Sequence, residues 1–313
     1  MEKRLLQAPT KLYDKIPRWL FLILACLMVE AFFWIGSFLG SILLIIPGML
    51  FYFMRIGNFG NFFSSMYFQL LLFLFVAILL MIWVKWVERR SITSLGFFQK
   101  RKAFKEIAKG WGFGSLIISL SFALTYLFGG VYFTDMDFSL LTILYVLSLI
   151  PFWFIQSGTE ELLTRGWLLP LLNRRFNLAL AVGVSSGLFG LMHLLNAHVT
   201  FYSILCIILS GIVMTLYALK RDNIWGVSGL HVAWNFMQGN IFGIAVSGQE
   251  PGASLFHFSH KSGVAEWISG GAFGTEGSLL TSFVLLLTII FLLWQLRLEK
   301  RSQGEKEEPW QGS

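Results

Sequence analysis

Long apolar stretches recur along this chain and limit its fold more than any other feature. A helix of about 20 apolar residues can cross the hydrocarbon core of a bilayer. Such stretches predict eight spans, at residues 19–47, 65–84, 111–129, 139–159, 178–196, 200–219, 224–246 and 279–296. Hydrophobic residues make up 56% of the 313 residues and charged residues only 13%, and the mean hydropathy is +0.70. Soluble proteins do not have this composition, so the sequence predicts an all-α polytopic membrane protein.

The basic residues indicate how the chain is oriented. Eight Lys and Arg residues lie in the loop 85–109, and others lie in the N-terminal segment 1–18, near Arg174 and Arg221, and in the charged tail 297–313. All of these segments fall on one side of the predicted topology, which the positive-inside rule makes the cytoplasmic side. The formal charge of +7 is therefore explained by membrane topology, and nucleic-acid binding is not indicated. We expect both ends to be cytoplasmic in a bacterial-type plasma membrane.

The predicted spans also divide the chain into regions. Residues 19–138 form an N-terminal group of helices, residues 139–246 a core with intramembrane polar residues, and residues 247–278 an extracytoplasmic loop. This loop contains the glycine-rich stretch GGAFGTEGS. Its composition is interpreted as a plain connecting loop, with a partly ordered cap over the outer face as the alternative.

Small residues four apart predict places where helices pack closely. The sequence contains three such pairs within predicted spans: Gly110 and Gly114, Gly183 and Gly187, and Gly239 and Gly243.

Two adjacent glutamates and an arginine interrupt the fourth apolar stretch. Glu161 and Arg165 are four residues apart, so they lie on one helical face and can pair, whereas Glu160 lies about 100° around the helix without that partner. Charges at a span end can reach the interface by snorkelling. Glu160, however, precedes Arg174 by 14 residues, roughly 20 Å in a continuous helix, which is too far. A functional role for these charges is therefore indicated.

A histidine lies at a similar depth in the fifth span. His193 follows Phe189 by four residues and Asn177 by 16, which places it roughly 24 Å into the membrane. Ser186 and Gly190 are predicted on the same helical face. A single histidine of this kind is more often a hydrogen-bonded core residue than a catalyst.

The seventh span has a polar stripe. His231 and Asn235 are four residues apart, and Ser228 and Gln238 extend the same face. Such a face must point into the bundle. Each of these side chains could simply form hydrogen bonds that hold neighbouring helices together. Together, however, the three spans bring a carboxylate, two imidazoles and an amide to overlapping depths, and helix packing does not require that combination.

These residues form three motifs: Glu160-Glu161-x-x-x-Arg165, Phe189-x-x-x-His193 and His231-x-x-x-Asn235. In this order they resemble the signature motifs of the CPBP family, which comprises CAAX-processing type II endopeptidases and bacteriocin-processing or immunity membrane proteins. The resemblance covers residues 139–246. It implies intramembrane proteolysis in a cavity open toward the cytoplasm, with prenylated proteins, leader peptides or signalling peptides as substrates.

A peptidase mechanism can be assigned to these residues. Glu160, a carboxylate without a cationic partner, is predicted to act as general base on a water that His193 also holds. Asn235 and His231 are predicted to stabilise the developing oxyanion. Glu161 and Arg165, with Phe189, are predicted to support the site.

The need for a metal is left open by the spacing. The resembled family is often described as metal-dependent, and Glu160, His193 and His231 could form a zinc site with two histidines and one glutamate. No H-E-x-x-H motif is present, and we favour the metal-free glutamate mechanism. Two other functions also remain open, a non-catalytic scaffold or immunity factor and a transporter, although matching interrupted spans in two halves, typical of transporters, are not found.

Overall fold

The computed structural model describes residues 3–54 and 59–307, which form a helical bundle with a small sheet at one end. The α-helices of this part of the chain are α1 Arg18–Leu43, α2 Ile45–Phe53, α3 Phe59–Ser64, α4 Met66–Ile82, α5 Ala103–Leu127, α6 Leu140–Glu161, α7 Leu169–Arg175, α8 Leu178–Leu191, α9 Phe201–Arg221, α10 Ile224–Phe236, α11 Glu266–Ser269 and α12 Leu279–Glu307. The two strands are β1 Val131–Met136 and β2 Phe256–His260. Three π-helical segments, Trp83–Val87, Leu162–Leu168 and Met237–Ile241, follow α4, α6 and α10 in the described residues.

The helices confirm the all-α polytopic membrane fold. Within the described residues, six helical stretches are long and apolar enough to cross a membrane: Arg18–Leu50, Met66–Val87, Lys100–Leu127, Leu140–Arg175, Phe201–Arg221 and Leu279–Ser302. Two further predicted spans correspond to the shorter helices α8 and α10. The count of eight spans and the inside location of both ends stay predictions.

Contacts between distant segments define one end of the bundle, which we call the basic end. Arg174 at the end of α7 pairs with Asp14 of the N-terminal segment at 2.7 Å, and Arg221 at the end of α9 pairs with Glu106 near the start of α5 at 2.6 Å. The predicted cytoplasmic segments therefore meet at the same end of the molecule.

The opposite end is covered by residues 245–278, which we call the cap segment. Its strand β2 pairs antiparallel with β1, with Val131 opposite His260 and Met136 opposite Phe256. Short helical turns at Gly271–Phe273 and Thr275–Gly277 follow α11. Of the two alternatives for this loop, the structure shows an ordered cap.

The closest helix contact predicted from glycine spacing joins α5 to α10. A Cβ atom on Gly110 would lie 1.8 Å from the carbonyl oxygen of Gly226, and one on Gly114 would lie 2.2 Å from that of Leu230. Only glycine allows this approach, so the prediction is confirmed here. This packing fixes α10, the helix that carries His231 and Asn235.

The other two glycine pairs behave differently. Gly183 and Gly187 have no neighbouring atom within 4 Å of a built Cβ, so the prediction of close helix packing there is wrong. Gly239 and Gly243 approach the cap segment instead, where a Cβ would lie 2.9 Å from Pro251 and 2.4 Å from the carbonyl oxygen of Phe256. The spacing of glycines shows where small residues share a helix face. It does not show whether another helix packs against that face.

Side-chain caps begin the helices that build the core. A side-chain oxygen accepts a hydrogen bond from a backbone N–H of the first turn at three of these helices: Ser139 from Thr142 at α6, Asn177 from Leu180 at α8, and Asn223 from Gly226 at α10. These caps fix where each helix starts and therefore how far along it the polar residues lie.

Candidate active site

A cavity of about 400 Å³ lies between α1, α4, α6, α9, α10 and the turn after α8, and the cap segment closes one of its ends. Most of its wall is apolar. Its polar and ionisable lining residues are Ser37, Gln69, Gln156, Glu160, His193, Asn196, Ser210, His231, Asn235, Ser247, Gln249 and Glu276. All four residues predicted to be catalytic are in this set.

Glu160 faces the cavity from α6. The residue is 5% exposed, and its Oε2 atom has no hydrogen-bond partner. The nearest ionisable contact is His231, whose Nε2 lies 3.6 Å from Oε2. Among the described residues no Lys or Arg is within ion-pair distance of Glu160. The carboxylate is therefore buried at the edge of the cavity and has no Lys or Arg partner within the described residues.

Glu161 has a different environment, which we call the Arg165 cluster: Glu161, Arg165, Phe189, Gly211 and Thr215. Arg165 and Glu161 are both fully buried and pair at 2.9 Å. The guanidinium also donates to the carbonyl oxygen of Gly211 at 2.9 Å and to the hydroxyl of Thr215 at 3.3 Å, and it lies 4.6 Å from the centre of the Phe189 ring. The i, i+4 pair predicted from sequence is present.

The helix changes form directly after the two glutamates. Residues Leu162–Leu168 are π-helical, a form that is rare and often occurs at functional sites. The helical run nevertheless continues from Leu140 to Arg175, as the depth estimate for Glu160 assumed. No sequence pattern predicted the π-helical segment.

His231 is held by the same carboxylate as Arg165. Its Nδ1 lies 2.9 Å from Oε1 of Glu161. A carboxylate oxygen accepts hydrogen bonds, so Nδ1 is the donor and Nε2 points toward Glu160. The sequence predicted Glu161 only as a partner of Arg165. In the structure Glu161 orients His231 as well, while its Oε2 atom has no partner.

His193 lies in the turn after α8 and not on the helix. The helix ends at Leu191, so the prediction that His193 shares a helical face with Ser186 and Gly190 is wrong. The chain turns here because it must return to begin α9, and Asn196 donates to the carbonyl oxygen of Ser247 at 2.9 Å. His193 is half-buried and still reaches the cavity.

The ring of His193 has a defined tautomer. Its Nδ1 lies 2.8 Å from the carbonyl oxygen of Phe189. A carbonyl oxygen can only accept, so Nδ1 carries the hydrogen and Nε2 keeps a lone pair. The Phe189 ring packs edge-on against His193 at 5.1 Å. The Phe189-x-x-x-His193 spacing therefore has two effects, a backbone hydrogen bond and a ring contact.

Asn235 is buried and already has partners. Its Nδ2 donates to Oε1 of Gln156 at 3.0 Å and to Oγ of Ser157 at 3.2 Å. The amide nitrogen therefore faces α6. An oxyanion role for Asn235, which stays a prediction, requires one of these bonds to be exchanged for substrate.

Gln156 and Ser157 were missed by sequence reasoning. Gln156 precedes Glu160 by four residues, so a polar side chain on the same helical face was the available signal. Ser228 and Gln238, which were predicted on the same helix face as His231, instead form hydrogen bonds to nearby backbone carbonyl groups. The Ser228 hydroxyl donates to the carbonyl oxygen of Ile224, and Gln238 donates to that of Ala245.

The predicted metal ligands do not form a three-residue site in this structure. Glu160 and His231 are 3.6 Å apart, but within the described part of the chain no three His, Cys, Asp or Glu side chains are grouped closely enough to hold a metal ion. The proposed mechanism therefore contains no metal-dependent step.

A family model matches the segment that contains the three motifs. Residues 141–237 match the family model "Rce1-like: Type II CAAX prenyl endopeptidase Rce1-like". The matched segment is less than half of the chain, but it contains all three motifs, and it confirms the resemblance predicted from them. No curated protein and no solved structure matches the chain. The match and the apolar helices support a multi-pass membrane protein with the general function of an intramembrane endopeptidase.

Proposed function

We propose that the chain hydrolyses a peptide bond of a membrane-associated, lipidated or leader-peptide substrate, with Glu160 as the general base. One observation carries this proposal: Glu160 lines the cavity without a Lys or Arg partner among the described residues, whereas the adjacent Glu161 is paired with Arg165. A buried carboxylate is costly unless it is paired. An unpaired carboxylate beside a cavity is well suited to accept a proton from water.

The first step is the activation of water. A water beside Glu160 gives its proton to that carboxylate as its oxygen attacks the substrate carbonyl carbon. His193 accepts a hydrogen bond from the same water through its Nε2 lone pair, because its Nδ1 hydrogen is used by Phe189. Two acceptors thus orient the water.

The second step is the collapse of the tetrahedral intermediate. The protonated Glu160 returns its proton to the leaving amine nitrogen as the C–N bond breaks. His231, whose Nδ1 is held by Glu161, stabilises the oxyanion from its Nε2 side. Asn235 supplies a second donor after one of its bonds to α6 is exchanged.

A quenched peptide substrate inserted with the purified protein into lipid nanodiscs tests the proposal. We expect cleavage by the parent protein. Absence of cleavage for leader-type and lipidated peptides would contradict it.

A non-catalytic scaffold or immunity role is the second candidate. It is favoured by one observation, the hydrogen bonding of Asn235 Nδ2 to Gln156 and Ser157 of α6, which is what a side chain that only joins two helices would show. The two candidates differ in the same experiment, because a scaffold cleaves nothing while its deletion still changes an immunity or sorting phenotype.

A further inference from the structure

We infer that Glu276 is a positioning residue that ties the turn carrying His193 to α10, the helix carrying His231. The inference rests on the proposed peptidase function and extends it to the cap segment, which lies outside the matched residues 141–237.

Both oxygens of the Glu276 carboxylate are used. Glu276 is 6% exposed and lines the cavity. Its Oε1 accepts from Nε1 of Trp234 at 2.8 Å, and its Oε2 accepts from the backbone N–H and the hydroxyl of Ser247 at 2.8 and 2.9 Å. Trp234 directly precedes Asn235 on α10, so the carboxylate is bonded to the residue next to a candidate catalytic group.

A second link leads from Ser247 to His193. The Nδ2 of Asn196 donates to the carbonyl oxygen of Ser247 at 2.9 Å, and the backbone N–H of Asn196 donates to the carbonyl oxygen of His193 at 3.1 Å. Glu276 therefore joins, through Ser247 and Asn196, the turn of one candidate catalytic histidine to the helix of the other.

This carboxylate is costly to place here. Among the described residues it has no cation within ion-pair distance, and burying an unpaired carboxylate is unfavourable. The backbone before it is also specialised. Gly274 has a φ of +109°, and a Cβ there would lie 2.0 Å from the carbonyl oxygen of Ala245. Sequence reasoning missed Glu276, although it is the single acid in GGAFGTEGS.

Loss of this tie should affect turnover more than substrate binding. Misplacement of a catalytic group by about 1 Å can lower a rate by about 10²-fold. We expect Glu276→Ala to lower kcat by about that factor with little change in KM. Glu276→Gln should lower kcat less, because its amide oxygen can still accept from Trp234.

A matched control is available at the basic end. Glu88 is also a buried carboxylate and also accepts from an indole, Nε1 of Trp167 at 2.7 Å, but it pairs with Arg90 and does not line the cavity. Glu88→Gln should lower thermal stability without lowering kcat per folded molecule. Equal losses of kcat in the Glu88→Gln and Glu276→Gln proteins would overturn the positioning role.

Two further measurements keep the inference testable if Glu276→Ala fails to fold. Trp234→Phe removes the N–H donor together with one ring of the indole and should lower kcat in the same direction, and it should lower kcat further in Glu276→Gln, where the amide oxygen still accepts from the indole. Amide hydrogen exchange over residues 193–197 should become faster in Glu276→Gln and stay unchanged in Glu88→Gln. Unchanged exchange would overturn the tie. Faster exchange with parental kcat would overturn the positioning role, whereas a parent that cleaves nothing would overturn the proposed function instead.

Discussion

The Arg165 cluster and the cavity face beside it contain two adjacent glutamates of α6, Glu161 and Glu160. The two carboxylates differ in their partners. In the cluster, one oxygen of Glu161 accepts from both Arg165 and His231 at 2.9 Å. On the cavity face, the Oε2 atom of Glu160 has no partner, and His231 is 3.6 Å away. One carboxylate is fixed and the other is available. We therefore assign the charge of Glu161 to the structure of the bundle and, in the proposed mechanism, the charge of Glu160 to catalysis.

His231 belongs to both regions. Its Nδ1 faces Glu161 and its Nε2 faces Glu160, so a change in the cluster is transmitted to the cavity face through this ring. We therefore expect variants of the Arg165 cluster to lose mainly stability and variants of the cavity face to lose mainly turnover. His231 contacts both regions and connects them.

The largest effect on stability is expected for the ion pair of the Arg165 cluster. Arg165→Met or Glu161→Gln leaves a buried charge without its partner, and each should cost about 3–5 kcal/mol of unfolding free energy. The double variant should recover part of this loss, as measured by thermal unfolding in a single detergent.

An exposed ion pair gives the control for this cycle. Asp14 pairs with Arg174 at 2.7 Å, and both side chains are at least 32% exposed. Asp14→Asn should change stability by only about 0–1 kcal/mol. Additive losses in the Glu161 and Arg165 cycle would show that the cluster is not held by this pair.

The second effect concerns turnover on the cavity face. His193→Ala removes one holder of the water and should lower kcat by about 10²–10⁴-fold, with thermal stability near that of the parent because the ring is half-buried in a turn. The control is His198→Asn, since His198 is an exposed histidine with a φ of +59°, a conformation that asparagine tolerates. Equal rates for the two variants would remove His193 from the mechanism.

A smaller effect is expected at Asn235. Asn235→Ala should lower kcat by about 10²–10³-fold if the amide donates to the oxyanion. Gln156→Ala frees one amide hydrogen of Asn235 and should lower kcat less. If Gln156→Ala and Asn235→Ala instead lower stability equally and leave kcat per folded molecule unchanged, the amide is interhelical glue.

The smallest effect is expected from removal of metals. In the proposed glutamate mechanism, EDTA treatment followed by dialysis should leave the cleavage rate unchanged. The control adds Zn²⁺ back to the treated protein. A lost rate that Zn²⁺ restores would contradict the metal-free mechanism and would assign Glu160 and His231 to a metal site.

Apolar length and motif spacing were enough to predict the membrane fold, four of the residues that line the cavity and the pair of Glu161 with Arg165. These features depend on local periodicity, which the sequence displays directly. The position of His193 in a turn, the second bond of Glu161 to His231 and the π-helical segment after α6 depend on contacts between distant segments. The tie through Glu276 joins residues 29 apart in the case of Ser247 and 42 apart in the case of Trp234, and no local pattern encodes that pairing.

The contrast between the two glutamates is tested most directly by changing each to glutamine and measuring both activity and stability. Glutamine keeps the shape of the side chain and removes its charge. Glu160→Gln should abolish peptide cleavage and leave expression, membrane insertion and thermal stability near those of the parent, whereas Glu161→Gln should lower stability first. Cleavage by purified Glu160→Gln at close to the parental rate would contradict the assignment of Glu160 as the general base.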